Sequence, residues 1–306
     1  MSILVVGSVA FDAIETPFGK TDKIIGGAAT YISIVSSYFS KEVYLVSVVG
    51  GDFPASAIED FKKRNINVEG LEIKPNEKSF FWSGRYHEDM NSRDTLITEL
   101  NVLANFEPKI LPIHQQAEFV MLGNLAPDIQ RSVLQKLQKR PKLVVMDTMN
   151  FWMETARSSL IETLKLTDVL VINDEEARQL SNLKNLKHAA QAILAMGPKI
   201  LVIKKGEHGA MLFAKTGEFF NSPALLLDRV VDPTGAGDCF AAGFISYLSQ
   251  QQYISFEAMK HAVLYGSVMA SFCVEEFGPN GIMHLTHDKI KERYFQLLQS
   301  MKIAKH

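Results

Sequence analysis

A doubly wound α/β fold, with a mostly parallel sheet flanked by helices and a small β lid, is what this chain predicts, and three observations lead there. Short runs rich in Val, Ile and Leu have the length and two-sided apolarity of strands in a covered parallel sheet. Helix-length stretches alternate with them. One segment, 72–101, sets Phe80, Trp82, Arg85 and Tyr86 among polar residues and sustains no helical period, as strands outside the main sheet would.

The first apolar run, 3–9, is too short to cross a membrane, lacks a basic leader and ends in Gly7 and Ser8, so it reads as a buried strand. The stretch 12–25 joins 72–101 in the lid, over the carboxyl ends of the parallel strands, where open α/β sheets bind ligands. Helices are expected over 28–39, 55–64, 128–139, 154–164 and 189–196, and further strands over 43–49, 119–122, 143–146, 169–172 and 200–203. From Ala236 onward the chain reads as mostly helical. No repeat or low-complexity tract divides it, so a single domain over 1–306 is expected. Exposed strand edges in two such lids would pair, which predicts a homodimer.

The chain is 47% hydrophobic with a formal net charge of -2. That balance suits a large core and gives no general attraction to nucleic acid or membrane. Cys239 and Cys273 are too few for a disulfide framework and are not a metal-spaced pair. A reducing, cytoplasmic setting is expected.

The strongest motif is Val231-Asp232-Pro233-Thr234-Gly235-Ala236-Gly237-Asp238-Cys239-Phe240, followed by the small and aromatic residues of a tightly packed helix. Two glycines let the backbone approach an anion, and the free amides and dipole of the helix start favour a phosphoryl group there. A carboxylate such as Asp238 is a poor phosphate ligand, both being negative, but a suitable base for an attacking hydroxyl. A structural turn with Asp238 capping the helix uses the same residues.

This string resembles the second signature of the PfkB carbohydrate kinase family, which includes ribokinase, fructokinase and adenosine kinase. The resemblance implies a ribokinase-like fold and ATP-dependent phosphorylation of a hydroxyl on a sugar, or on a nucleoside as the alternative acceptor. It also implies Asp238 as catalytic base, Gly235, Ala236 and Gly237 as the anion hole, and Asp232 and Thr234 as candidates for a monovalent cation such as K⁺. Gly26-Gly27-Ala28-Ala29-Thr30-Tyr31 is similar to the first signature, a di-glycine hinge that touches substrate; the family often has Asn where Tyr31 stands. Asp12 matches the family's acceptor of substrate hydroxyls, and Asn124, after another strand, is a second substrate candidate. Asn173-Asp174-Glu175-Glu176 resembles the Asn-x-x-Glu motif, with Asn173 beside the nucleotide and Glu176 ordering Mg²⁺ through water; the same residues fit a helix N-cap with an acidic first turn. Asp147 and Asn150 fall in an Asp-x-Asn-like region, with Trp152 where an Arg is common. Lys204, Gly206 and Gly209 resemble the nucleotide-side turn. Ala262, Gly266 and Val268 lie where the adenine pocket is built, at a spacing that also suits a core helix.

A P-loop is excluded because Gly19-Lys20-Thr21 has Ile14 where its first glycine belongs. A dinucleotide-dependent oxidoreductase fits poorly, since Phe240 takes the third glycine position of that fingerprint. A non-catalytic sugar-binding module on the same fold stays open. Phe11, Tyr31, Phe81 and Trp82 suit either stacking on a base or packing the lid, and the acceptor expected is a sugar.

Overall fold

The computed structural model describes residues 1–302. In chain order its strands are β1 Ile3–Val6, β2 Ala10–Thr16, β3 Gly19–Lys20, β4 Ile24–Gly26, β5 Val43–Gly50, β6 Ile66–Lys74, β7 Phe80–Tyr86, β8 Arg93–Glu99, β9 Phe119–Leu122, β10 Leu143–Asp147, β11 Val169–Asn173, β12 Ile200–Lys204, β13 Ala210–Ala214 and β14 Phe219–Ser222. A 9-stranded sheet runs β14-β13-β12-β11-β10-β9-β1-β5-β6, parallel from β12 to β6, with β13 and β14 antiparallel at one edge. In its centre Val5 lies opposite Leu45 on one side and Met121 on the other.

Alternate residues of these strands feed two cores, which is why the runs are apolar throughout instead of alternating. Ile3, Val5, Leu45 and Met121 face the helices Ala28–Ser37, Ala236–Ser249 and Phe256–Cys273. Leu4, Val6, Val46 and Leu122 face Pro127–Lys136, Arg157–Leu164 and Leu186–Ala195. Among the described residues no helix is long and apolar enough to cross a membrane.

A second, 5-stranded sheet has the order β3-β2-β7-β8, with β4 also on β2. It draws on both segments expected outside the main sheet, with one correction: Glu72 to Lys74 end β6, the edge strand of the main sheet. Strand β1 stops at Val6 because the chain then serves the next helix: Ser8 Oγ accepts from the Ala28 amide (3.1 Å) and Ser8 O from the Ala29 amide (2.9 Å). The expected helix over 154–164 is broken at Ala156, whose φ of -139° is not helical, into Asn150–Thr155 and Arg157–Leu164. Strands β6 and β14 carry polar residues that hide their apolar faces, and β13 is a five-residue Ala-Met-Leu-Phe-Ala run with no β-branched residue, so sequence periodicity missed all three.

Candidate active site

Three neighbouring parallel strands end in polar residues: β10 in Asp147, β11 in Asn173 and β12 in Lys204. Asn173 and Lys204 are paired across the ladder, and Lys204 Nζ lies 3.8 Å from Asp147 Oδ1. Burial works against the charge on Lys204, but Asp147, Glu176 and Asp238 outweigh it and hold the ammonium pKa above its ordinary value.

The glycine turn comes down onto this lysine. A Cβ at Gly237 would stand 2.7 Å from Lys204 Nζ, so the glycine lets the ammonium come up against the turn without shifting. Asp232 builds the turn, accepting from the Thr234 amide on Oδ1 (2.9 Å) and the Gly278 amide on Oδ2 (2.8 Å). Gly235 has φ 78°, and a Cβ there would meet the Tyr31 ring at 2.5 Å. Gly235 is also the N-cap of helix Ala236–Ser249, and among the described residues no side chain caps that helix. Its first-turn amides thus have no side-chain acceptor, and the dipole favours an anion there. Asp238 sits in this first turn with Oδ1 buried and, among the described residues, unpartnered. Burial, then the charge of Asp147, pushes its carboxyl up to about 7, against the pull of Lys204.

Asp12, on β2, is buried, and its charge reaches Asp238. Its carboxyl is also pushed to about 7, mainly by burial, with the Gly27 amide pulling it back. The two glycines of the first signature have separate causes. A Cβ at Gly26 would lie 1.9 Å from Asp12 Oδ2; Gly27 has φ 88°, and a Cβ there would lie 2.6 Å from Ser8 O. Glu176 forms a capping box with Asn173: the Asn173 amide donates to Glu176 Oε2 and the Glu176 amide to Asn173 Oδ1, each at 2.8 Å. That leaves Oε1 of a carboxyl raised to about 7, first by burial and then, against Lys204, by Asp147.

The second sheet closes over these groups. Asp12 pairs with Trp82 across β2 and β7, and Tyr86 with Arg93 across β7 and β8. Side chains two and four apart on a strand share a face, so Asp12, Trp82, Tyr86 and Arg93 lie on one side of this sheet. Thr234 Oγ1 donates to Tyr86 Oη (3.2 Å), tying the sheet to the glycine turn. Arg93 Nη1 donates to the same hydroxyl (3.4 Å), and the guanidinium lies 5.5 Å from the Trp82 ring centroid. The turn between β7 and β8 reaches the Lys204–Gly206 side, where a Cβ on Gly206 would come within 2.8 Å of Asn91 Oδ1.

Other candidates go elsewhere. Asn124 is spent on structure, accepting from Trp152 Nε1 (2.9 Å) and donating to Met149 Sδ (3.0 Å). Asn150 is an exposed helix start. Gly209 is required by the β13–β14 hairpin, since a Cβ would lie 2.0 Å from Ser222 O. Ala262, Gly266 and Val268 are buried between helices, and a Cβ on Gly266 would meet Phe240 O at 2.8 Å. Tyr86 and Arg93 were missed as a pair because only the β7–β8 register brings them together.

Comparison with known proteins places the chain in a family. The chain is 28% identical to cytidine kinase of Thermococcus kodakarensis over 256 residues, covering 82% of this chain and 89% of that one. It is 25% identical to ribokinase of Lactococcus lactis, covering 92% and 93%. The crystal structure of Methanocaldococcus jannaschii nucleoside kinase, an archaeal member of the ribokinase family, superposes with a TM-score of 0.77 at 24% identity, over 97% of this chain and 99% of that one. The model of the pfkB family of carbohydrate kinases matches residues 2–284, a span that takes in the di-glycine, the Asn173–Glu176 box and the turn before Asp238, and the chain belongs to that family.

Proposed function

We propose that the protein is an ATP-dependent kinase that phosphorylates a ribose hydroxyl of a nucleoside, with Asp238 as general base. The observation that carries the chemistry is the buried, unpartnered Oδ1 of Asp238 at the uncapped start of a helix. The acceptor hydroxyl bonds to the γ-phosphorus while its proton passes to Asp238. The bond from that phosphorus to the β,γ-bridging oxygen breaks, and its electron pair leaves with ADP. Amides of Gly235 and Gly237 receive the developing charge and Lys204 supports it from the sheet side, whereas the expected third donor, the Ala236 amide, is spent on Pro233 O (3.1 Å) in closing the turn. A pKa near 7 leaves Asp238 able both to take the proton and to be ionised when it does so.

Asp12 supplies an acceptor for ribose hydroxyls, and Trp82, its neighbour on the same sheet face, supplies an aromatic surface for a base. The relatives named cytidine and nucleoside kinases favour this acceptor. The ribokinase relative favours a free sugar, the second reading. A coupled ATPase screen over nucleosides, pentoses, hexoses and sugar phosphates tests both: turnover is expected with a nucleoside, and turnover with sugars alone would overturn the first reading.

Among the described residues no group of three His, Cys, Asp or Glu forms a metal cage. The donors present, Glu176 Oε1 in the first place, suit a Mg²⁺ carried mainly by phosphate and water, which would neutralise phosphate charge when bound. Each carboxylate oxygen of Asp232 accepts one backbone amide and the Thr234 carbonyl accepts from Cys273 Sγ, so a K⁺ at this turn would share these oxygens with the donors they already hold. No step here uses K⁺. The cytoplasm suits the free, buried Cys239 and Cys273. Strand β8 is an exposed edge with Leu96 and Ile97 about half open, and pairing of two such edges would make a homodimer. Light scattering should return twice the chain mass; a single-chain mass across a wide concentration range would sink the dimer.

A further inference from the structure

Strand β2, which carries Asp12, has a partner on each side within the lid. Ile24 of β4 lies opposite Asp12 on one side and Trp82 of β7 on the other. Both neighbours start beside one carboxylate, that of Asp52, in the turn between β5 and helix Ala55–Lys63. Its Oδ1 accepts from the amide (2.8 Å) and the hydroxyl (2.7 Å) of Ser79, the residue before β7. Its Oδ2 accepts from Nζ of Lys23, the residue before β4 (3.3 Å). Burial works against the charge on Asp52, but Ser79 and Lys23 outweigh it and hold the carboxyl below its ordinary value.

The surroundings are built for this crossing. The segment 75–79 enters β7 over Gly50 and Gly51, where a Cβ would run into the carbonyls of Glu77 and Pro75. The Gly51 amide donates to Glu77 O (3.0 Å), and the Gly50 amide to Ser79 Oγ (2.9 Å). Asn101, where the chain has left β8, donates from Nδ2 to Ser79 O (2.9 Å). At the other root, Lys23 Nζ lies 4.0 Å from the Phe11 ring centroid, and Phe11 packs on Phe53 at 5.4 Å. Phe11 precedes Asp12 on β2, so it holds the strand from the opposite face.

We propose that Asp52 is a positioning residue of the acceptor subsite: by gathering the roots of β4 and β7 at one carboxylate it fixes β2 between them, and with it the Asp12 carboxyl. The inference rests on the reading above in which Asp12 receives acceptor hydroxyls. A carboxylate suits this post because it accepts on both oxygens at once, here from two neutral donors and from a cation. Misplacing a group by about 1 Å can cost about a hundredfold in rate, so a pin outside the site bears on the reaction within it. The nucleotide side is built instead on β11, β12 and the glycine turn, to which Asp52 has no hydrogen bond among the described residues. The two substrates should therefore respond differently to its loss.

The test is calorimetric titration of the wild type, Asp52→Ala, Asp52→Asn and Lys23→Met with cytidine, and with the magnesium complex of the β,γ-imido analogue of ATP. Asp52→Ala should weaken cytidine by at least about tenfold, the size of one charged hydrogen bond, and leave the analogue within about twofold. Asp52→Asn keeps an acceptor for Ser79 and loses the charge facing Lys23. It should match Lys23→Met, at about twofold to fivefold, the range of an exposed ion pair. The double variant should be no weaker than either of those two. In turnover, Asp52→Ala should raise the acceptor KM and leave the ATP KM unchanged. Equal cytidine affinity in wild type and Asp52→Ala overturns the proposal, as does an equal loss of both ligands, which a loosened fold would give. A wild type that binds D-ribose and not cytidine overturns the nucleoside reading alone, and D-ribose then replaces cytidine in the same comparison. Asp52 and Lys23 are exposed, so Asp52→Asn and Lys23→Met should melt near the wild type and carry the comparison even if Asp52→Ala fails to fold.

Discussion

Asp238 is a carboxyl whose Oδ1 is buried without a partner among the described residues, a costly arrangement unless a proton or a ligand completes it. As a base it must be ionised, so turnover should rise with pH through about 7 and fall away below. Asp238→Asn preserves size and removes the proton acceptor. It should retain ATP affinity, or improve it by removing a negative charge beside the γ-phosphate, while losing at least about a hundredfold in turnover. Weakened ATP binding with normal turnover, measured by titration and initial rates, would reverse the assignment. Melting with and without ATP controls for the place of Asp238 in the first helical turn.

The element that carries Asp238 is held by close backbone packing. Helix Ala236–Ser249 crosses Phe256–Cys273 where Gly243 and Gly266 face each other's backbone: a Cβ on Gly243 would meet Tyr265 O at 2.7 Å, and one on Gly266 would meet Phe240 O at 2.8 Å. Backbone cannot yield as a side-chain tip can. Gly266→Ala should therefore destabilise by about 1–3 kcal/mol, read as a shift of the urea midpoint at unchanged m-value. The capping box offers the converse, an element that tolerates change. Glutamine can replace glutamate in such a box, so Glu176→Gln should keep the melting temperature near that of the wild type while raising the Mg²⁺ concentration needed for half-maximal rate. An unaltered Mg²⁺ requirement would remove Glu176 from that role.

At the scale of the molecule, the site opposes the stability of the fold. Asp12 and Asp238 have carboxyls near 7 when folded and 3.8 when exposed, so the folded state binds more protons between those values. Their contribution to stability is present at the acid side of that window and is lost as pH rises through 7. His114, held below its ordinary value mainly by burial, acts the other way, losing stability as pH falls through about 6.5. The cleaner readout is a difference. Relative to wild type, Asp238→Asn should gain melting temperature from pH 5 to about pH 7 and then level off toward pH 8; a constant offset across the whole range would show that the carboxyl is not raised. Bound ATP with Mg²⁺ changes this field.

Much of the sheet is legible in the residues because strand period and turn chemistry are local. The runs at β9, β10, β11 and β12 needed only their own apolarity, and the glycine turn before Asp238 needed only its own dihedral demands. The strands Ile66–Lys74, Ala210–Ala214 and Phe219–Ser222 were hidden because their patterns make sense only against their neighbours. The same division runs through the site. Asp147, Asn173 and Lys204 could be placed at strand ends from the sequence by itself, since a strand's end is a property of one segment. That Asn124 turns to Trp152, that Asp232 spends its carboxylate on backbone amides, and that Tyr86 and Arg93 meet above Thr234 were settled by tertiary structure. Cross-strand register and helix crossings bring together side chains distant in sequence, and no local period carries that information.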